Sequence, residues 1–400
     1  MNAPRLTRPL AALATSLLLV LAGCGGGGGG DGDAAPDRIP ATTSLGNSYQ
    51  YEESVAGCSL DTQKKFVRSY LDEVYLWYDQ IPDVDPARYS DIRNYFHALR
   101  VPQDRFSAAI DPRNPVQPEL AGLQQSLAPQ ELLKADADAV RDPRLITTPG
   151  GRKVAYLWFR THAVGTQDEL ITAFRQVQSM GAQDLVLDLR ENSGGYLYIA
   201  LATASMIVGP AQNGLVFEQL QYNDKRPRET AQGTLRFAGT VQYGETTYPT
   251  GTALPQLGLQ RVFVLTTGAT ASASESIINS LRGVDVQVVT IGSRTLGKPY
   301  GFREETNCGV SYFAVEFKGS NAKGFGDYAD GFAPTCSVAN TGTPGAGDDA
   351  LLNAAITYVD SGACPPAPAQ SAASPLLRDD AQPNLPPWSG RLLLPQQQAR

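Results

Sequence analysis

Histidine is almost missing from this 400-residue chain: there are two, His97 and His162. Neither has a triad-like neighbourhood, which weighs against a histidine base for a serine nucleophile. The five cysteines fit no zinc spacing and stand far from both histidines, so no metal or other cofactor is expected. Hydrophobic runs are short. The stretch from Leu10 to Leu21 is too brief to span a bilayer. Positive charge is in deficit, with 33 Lys and Arg against 40 Asp and Glu and a formal charge of -7, so nucleic acid is not an expected partner. A 42% hydrophobic and 18% charged composition excludes wholesale disorder and supports one large or two ordinary domains.

The amino terminus reads as a processing signal over 1–23. Arg5 and Arg8 precede the apolar stretch, which ends in Leu21-Ala22-Gly23-Cys24. Small residues before a cysteine resemble the lipobox of bacterial lipoproteins. That resemblance implies acylation of Cys24, a membrane-tethered protein in the bacterial cell envelope, and an outer-membrane address facing the periplasm or the cell surface. The Gly-rich segment 24–57 is expected to be a flexible tether. Four cysteines remain, Cys58, Cys308, Cys336 and Cys364, and an even number in an exported chain suggests disulfides. Of three connectivities, Cys308 with Cys336 and Cys58 with Cys364 is expected, the second stapling the ends of the folded region.

Phe66, Val67, Tyr70, Leu71, Val74, Tyr75 and Tyr78 recur at helical spacing. They predict a helix stopped by Pro82, and with a second helix over Asp91 to Leu99 a small helical domain over 58–111. The Pro-, Gln- and Ala-rich segment 112–152 reads as a linker, weakly helical near Gln130 to Val140. Strands and helices then alternate over 153–364, which predicts an α/β layer fold. Strands are expected at Val154 to Phe159, Leu185 to Leu189, Val262 to Leu265, Val286 to Ile291 and Cys308 to Lys318. Helices are expected after Thr166, whose pairing with Glu169 predicts a capping box, and over Tyr196 to Val208, Ala273 to Leu281 and Ala350 to Val359. Residues 213–248 read as a β-hairpin excursion, and 365–400 as a disordered tail.

The most informative segment runs from Val262 to Glu275 and places Ser272 at a strand-to-helix turn. Amides that open a helix lack internal partners, so they can hold a developing negative charge. Lys298, in Thr295-Leu296-Gly297-Lys298 after the next strand, is the candidate base. To act near neutral pH an amine must fall from about 10.4 to about 7 or 8, roughly 4 kcal/mol. Lys298 is therefore expected to be buried. Asp188 to Gly195 forms a second glycine-bearing turn that can supply the other oxyanion donor.

These three segments resemble the catalytic motifs of the C-terminal processing peptidases, or tail-specific proteases, which are Ser/Lys enzymes. Asp188-Leu189-Arg190 followed by Gly194-Gly195, then Thr270 to Glu275, then Thr295 to Lys298 match in order and spacing. The resemblance implies a ClpP/crotonase-like core, a helical amino-terminal segment and polypeptide substrates. It implies Ser272 as nucleophile, Lys298 as base, oxyanion amides from Gly194 or Gly195 and from Ala273, and support from Glu275 and Thr295. Three departures stand out. Phe302 occupies the position where many members carry a lysine-orienting glutamine. Gly283 and Asp285 stand where many carry an acidic residue. The 41 residues of 112–152 are fewer than the about 50 of a minimal domain, so a complete PDZ domain is not expected.

Other readings compete. Ser272 in an Ala/Ser run also suits tight helix packing, and a lone lysine in a loop is commonly a solvated one. Gly292 to Lys298 has the spacing of a phosphate-binding loop, but Pro299 replaces the magnesium-binding hydroxyl, so nucleotide is not expected. A catalytically inactive peptide-binding lipoprotein of the same fold is the principal alternative to a serine endopeptidase.

Overall fold

Strands whose alternate residues are all apolar can be covered on both faces, and the strands flanking the candidate motifs are built this way. A computed structural model of the chain describes residues 57–111, 113, 139–366 and 391–392. The signal segment, Cys24 and most of the tether lie outside the described residues, as does the expected helical stretch up to residue 138. The principal sheet comprises β2 (Val140–Thr147), β3 (Lys153–Phe159), β4 (Asp184–Asp188), β8 (Arg261–Thr266), β9 (Gln287–Gly292) and β14 (Cys336–Ser337), in the order β14-β9-β8-β4-β3-β2. All neighbours are parallel except β2, which runs antiparallel to β3 at the edge.

Alternation divides the strands between two cores. Ala155, Leu157, Leu185, Leu187, Val262 and Val264 face α3 (Thr166–Met180), α4 (Leu197–Ile207) and α6 (Ala273–Gly283). Val154, Tyr156, Val186, Phe263 and Leu265 face the other way, against α7 (Ala350–Ser361). At about 25 cal/mol per Å² of apolar surface, two faces closed by helices supply most of the driving force for this sheet.

A second sheet has the order β5-β15-β10-β13-β6-β7. It contains β5 (Gly195–Tyr196), β6 (Val216–Tyr222), β7 (Thr234–Arg236), β10 (Tyr300–Phe302), β13 (Phe317–Ser320) and β15 (Arg391–Leu392), with α5 (Pro227–Gln232) joining β6 to β7. The expected hairpin excursion is thus the antiparallel pair β6 and β7, closed by a short helix in place of a two-residue turn.

The helical lead-in consists of α1 (Leu60–Val74) and α2 (Ile92–Ala98), packed on a third sheet of β1 (Ala108–Ile110), β12 (Val310–Phe313) and β11 (Glu305–Asn307). The first helix ends at Val74, well before Pro82. Tyr75 turns extended there, buries its ring, and donates its hydroxyl to Asp104 at 2.6 Å.

Four expectations need correction. The disulfides pair Cys58 with Cys308 and Cys336 with Cys364. The sheet order explains this: β14 puts Cys336 at the edge on which α7 returns the chain to Cys364, whereas the third sheet carries Cys308 to the start of α1. The capping box at Thr166 is also absent. Gly165 is the N-cap, Glu169 accepts from the Val140 amide at 3.1 Å, and the Glu245 carboxylate accepts from the amides of Gly165 and Asp168 at 2.8 and 3.0 Å. The expected linker contains β2, so the principal sheet starts at Val140, and only positions 111–139 lie between β1 and β2, too few for a PDZ domain. Within the tail expected to be disordered, Arg391–Leu392 forms a strand.

Candidate active site

The strand β8 delivers the chain to a tight turn whose last residue is Ser272, with φ 59° and ψ -113°. A non-glycine residue held there costs about 1–3 kcal/mol, and such strain persists only where the surroundings over-determine it. Here they do. Thr270 Oγ1 donates to the Leu189 carbonyl at 2.8 Å, and Ser274 Oγ donates to the Asn192 carbonyl at 2.9 Å, tying this turn to the one after β4. Ser272 is fully buried, and its Oγ has no hydrogen-bond partner among the described residues.

Glu275 holds the site together. Its Oε2 accepts from the amides of Ser272 and Lys298, both at 2.8 Å, while Oε1 accepts from Thr295 Oγ1 at 2.6 Å and the Gly297 amide at 2.8 Å. Two amide nitrogens at 2.8 Å from one oxygen can be no more than twice that far apart, so one carboxylate fixes the backbones of Ser272 and Lys298 side by side. All four partners are donors, which suits an ionised carboxylate. Burial pushes the Glu275 carboxyl above the usual range, and the donated hydrogen bonds pull it back. Thr295 adds a further tie by accepting the Phe332 amide at 2.7 Å.

Lys298 is 1% exposed, the burial expected of a lysine base. Its Nζ lies 4.3 Å from the centre of the Phe302 ring and 5.2 Å from that of Phe106. Phe302, which stands where a glutamine is common, is itself fully buried and meets the amine with an aromatic face. Phe106 comes from the helical lead-in domain and carries no signal in the sequence that would place it here.

The turn after β4 is anchored from below by a buried charge network. Arg190 donates to Asp188, to Asp349 Oδ2 at 2.6 Å and to Asn340 Oδ1 at 3.0 Å, and Tyr156 donates its hydroxyl to Asp188 Oδ2 at 2.7 Å. Burial is the main cause that raises the Asp188 carboxyl from its ordinary range. Removing one member of such a cluster leaves an uncompensated buried charge. Above it, Gly194 has φ 99°, and a Cβ built there would lie 2.9 Å from the Ala273 nitrogen and 3.0 Å from Ser272 Cβ. Only glycine allows the two turns to meet so closely. The Gly194 amide, one of two alternatives named for the oxyanion, donates to Asn192 Oδ1 at 3.0 Å, which leaves Gly195 beside Ala273 as the candidate pair.

His162 is fully buried, with Nδ1 2.9 Å from Asn192 Oδ1, and no hydrogen bond joins it to Ser272. The phosphate-loop alternative also loses its geometry. The amides of Gly297 and Lys298 point at a carboxylate, and Lys298 leads into β10, not into a helix.

This arrangement is a mixed α/β core with a serine at a strained turn, two glycines against it and a buried lysine. Residues 153–306 match Peptidase family S41, and residues 62–108 match the Peptidase S41 N-terminal domain. Together these matches cover about half of the 400 residues, and the chain belongs to peptidase family S41. A carboxyl-terminal-processing protease of Picosynechococcus sp. is 28% identical over 148 residues, which is 37% of this chain and 30% of that protein. The match thus spans under a third of that relative. Among solved structures, a proposed S41 protease from Bacteroides fragilis aligns with a TM-score of 0.59 at 23% identity, covering 74% of this chain and 97% of that one. A lipoprotein from Streptococcus agalactiae aligns with a TM-score of 0.51 at 12% identity, covering 76% and 98%. These two likenesses establish the fold.

Proposed function

We propose that this protein is a serine endopeptidase that cleaves exported polypeptides through a Ser272/Lys298 dyad, tethered to the cell envelope by acylated Cys24. The observation that carries the reading is the shared carboxylate oxygen of Glu275, which holds the amides of Ser272 and Lys298 at 2.8 Å each. In this mechanism Lys298 Nζ takes the proton of the Ser272 hydroxyl as Oγ attacks the scissile carbonyl. The tetrahedral oxyanion is met by the amides of Gly195 and Ala273. The C–N bond then breaks, the leaving amine takes the proton from Lys298, and water repeats the sequence to release the carboxyl product. Desolvation, the condition that disfavours an ammonium, is the physical means by which a lysine serves as base. No nucleotide, nucleic acid or metal takes part.

The test is digestion of an unfolded protein in the presence of a chelator by the wild type, Ser272→Ala and Lys298→Ala. Chelator-resistant cleavage that falls by at least about 10³-fold in both variants is expected. Cleavage that survives either substitution would refute the dyad. An inactive peptide-binding protein would instead retain peptide affinity in all three chains with no cleavage in any.

A further inference from the structure

Without β15 the second sheet would be interrupted between β5 and β10 by the width of one strand. Arg391–Leu392 fills that interval and pairs in parallel on both edges. Arg391 stands level with Gly195 on one side and Gly301 on the other, and Leu392 with Tyr196 and Phe302. The walls of this slot are the segments that carry the proposed chemistry. The strand β5 begins at the candidate oxyanion residue Gly195, and β10 begins two residues after Lys298. The register puts Arg391 level with the residue that follows Gly194, where an added Cβ would lie 3.0 Å from Ser272 Cβ. In this structure, with the strand slot filled, Ser272 and Lys298 are 0% and 1% exposed.

A strand paired on both edges presents its carbonyls in a fixed register, which is how an extended polypeptide is recognised by strand addition and held for attack. We propose that this chain's own carboxy-terminal segment at Arg391–Leu392 occupies the strand slot between β5 and β10 as a tethered competitor, closing the site until a polypeptide displaces it. The proposal rests on the endopeptidase reading. Because the tail is covalently attached, its local concentration is fixed by the chain and not by dilution, so an incoming substrate meets a standing competitor.

The experiment uses the full chain with Arg391→Pro and Leu392→Pro together, since proline has no N–H to give to either edge. The first probe is a labelled synthetic peptide of residues 386–400, titrated into Ser272→Ala chains with the natural or the proline-bearing tail. At least tenfold tighter binding to the proline-bearing chain is expected, and equal affinity for both, or no binding to the proline-bearing chain, would overturn the proposal. This readout needs no turnover, so absence of cleavage by the wild type would count against the endopeptidase reading alone. The second probe is the kinetics of unfolded-protein digestion. A KM at least tenfold lower in the double variant with kcat unchanged, and competitive inhibition of that variant by the peptide, is expected. An unchanged KM would overturn the proposal. Leu392→Pro alone, which removes one of the two paired positions, is expected to fall between the two chains.

Discussion

His162 makes a sharp test of how this core treats charge. Its ring lies 4.3 Å from that of Phe159, it is fully buried, and burial pushes its pKa down to about 3. Asn192 Oδ1 also accepts the Gly194 amide, and Asn192 Nδ2 donates to the Phe159 carbonyl, so Nδ1 of His162 is the donor in their hydrogen bond and the neutral ring is the form that fits. Protonation would place a cation in the core and a second N–H at Nε2, which has no hydrogen-bond partner among the described residues. The unfolded chain, with an ordinary histidine near 6.5, binds this proton more readily than the folded one. Stability is therefore full above about pH 6.5 and declines as pH falls from there toward 3, at up to about 1.4 kcal/mol per pH unit. At pH 5 the loss from this one group is about 2 kcal/mol, and it depends on the folded value only in that this lies well below 5. His162→Gln keeps a donor for Asn192 and does not titrate. Urea unfolding of both chains between pH 7.5 and 5 should show the difference in unfolding free energy shifting by about 2 kcal/mol in favour of the variant. Parallel curves, or a histidine resonance titrating near pH 6.5 in the folded wild type, would refute the reasoning.

Other substitutions probe the turns and their supports. Glu275→Gln replaces one acceptor oxygen by a donor facing amides, and kcat should fall by about 10- to 100-fold with a lower Tm, measured by digestion kinetics and thermal unfolding. Gly194→Ala forces a Cβ to 2.9 Å from the Ala273 nitrogen at φ 99°, and a loss of at least about 10²-fold in kcat is expected. Phe302→Leu keeps an apolar side chain but removes the ring face 4.3 Å from Lys298 Nζ; a contact worth about 0.5–2 kcal/mol predicts a roughly 3- to 30-fold fall in kcat, with the fold checked by circular dichroism. Cys336→Ser with Cys364→Ser opens a loop with sequence separation 28, and urea unfolding should show a loss of about 3–4 kcal/mol.

The sequence shows the layer fold wherever a strand is covered on both faces. The run Leu185 to Leu189 is apolar at nearly every position, and the strand appears within one residue of its expected bounds because no other element suits such a run. The turns that carry Ser272, Lys298 and the paired glycines were also legible, since each follows a strand of the principal sheet and is marked by a glycine or a helix start. What was not legible depends on which segments meet in space. The Cys58 and Cys308 pairing has a sequence separation of 250, and only the docking of α1 on the third sheet brings the two together. Thr166 and Glu169 satisfy the capping pattern locally, yet Glu245 reaches the helix start first, and Val140 recruits Glu169. Strand β2 was hidden because its run from Val140 to Thr147 mixes charged and apolar residues, as an edge strand half-open to solvent allows.

Phe106 joins the helical lead-in to the candidate site. Its ring reaches Lys298, while Arg105 Nη2 donates to the Ala329 carbonyl at 3.0 Å and Ser107 Oγ accepts the Val315 amide at 2.8 Å. Further along, Asn223 Nδ2 donates to the carbonyls of Glu73 and Tyr75 at 3.0 Å each, and the Leu76 amide donates to the Val315 carbonyl at 2.8 Å. These bonds run from the end of α1 and from the residues before β1 into the connections that follow β6, β12 and β13. Here the wall that keeps water from Lys298 is built partly from the lead-in domain, so loosening that domain admits solvent to the amine without touching Ser272, Glu275 or either glycine turn. The desolvation that the proposed lysine base requires is thus supplied by the helical lead-in and the second sheet together.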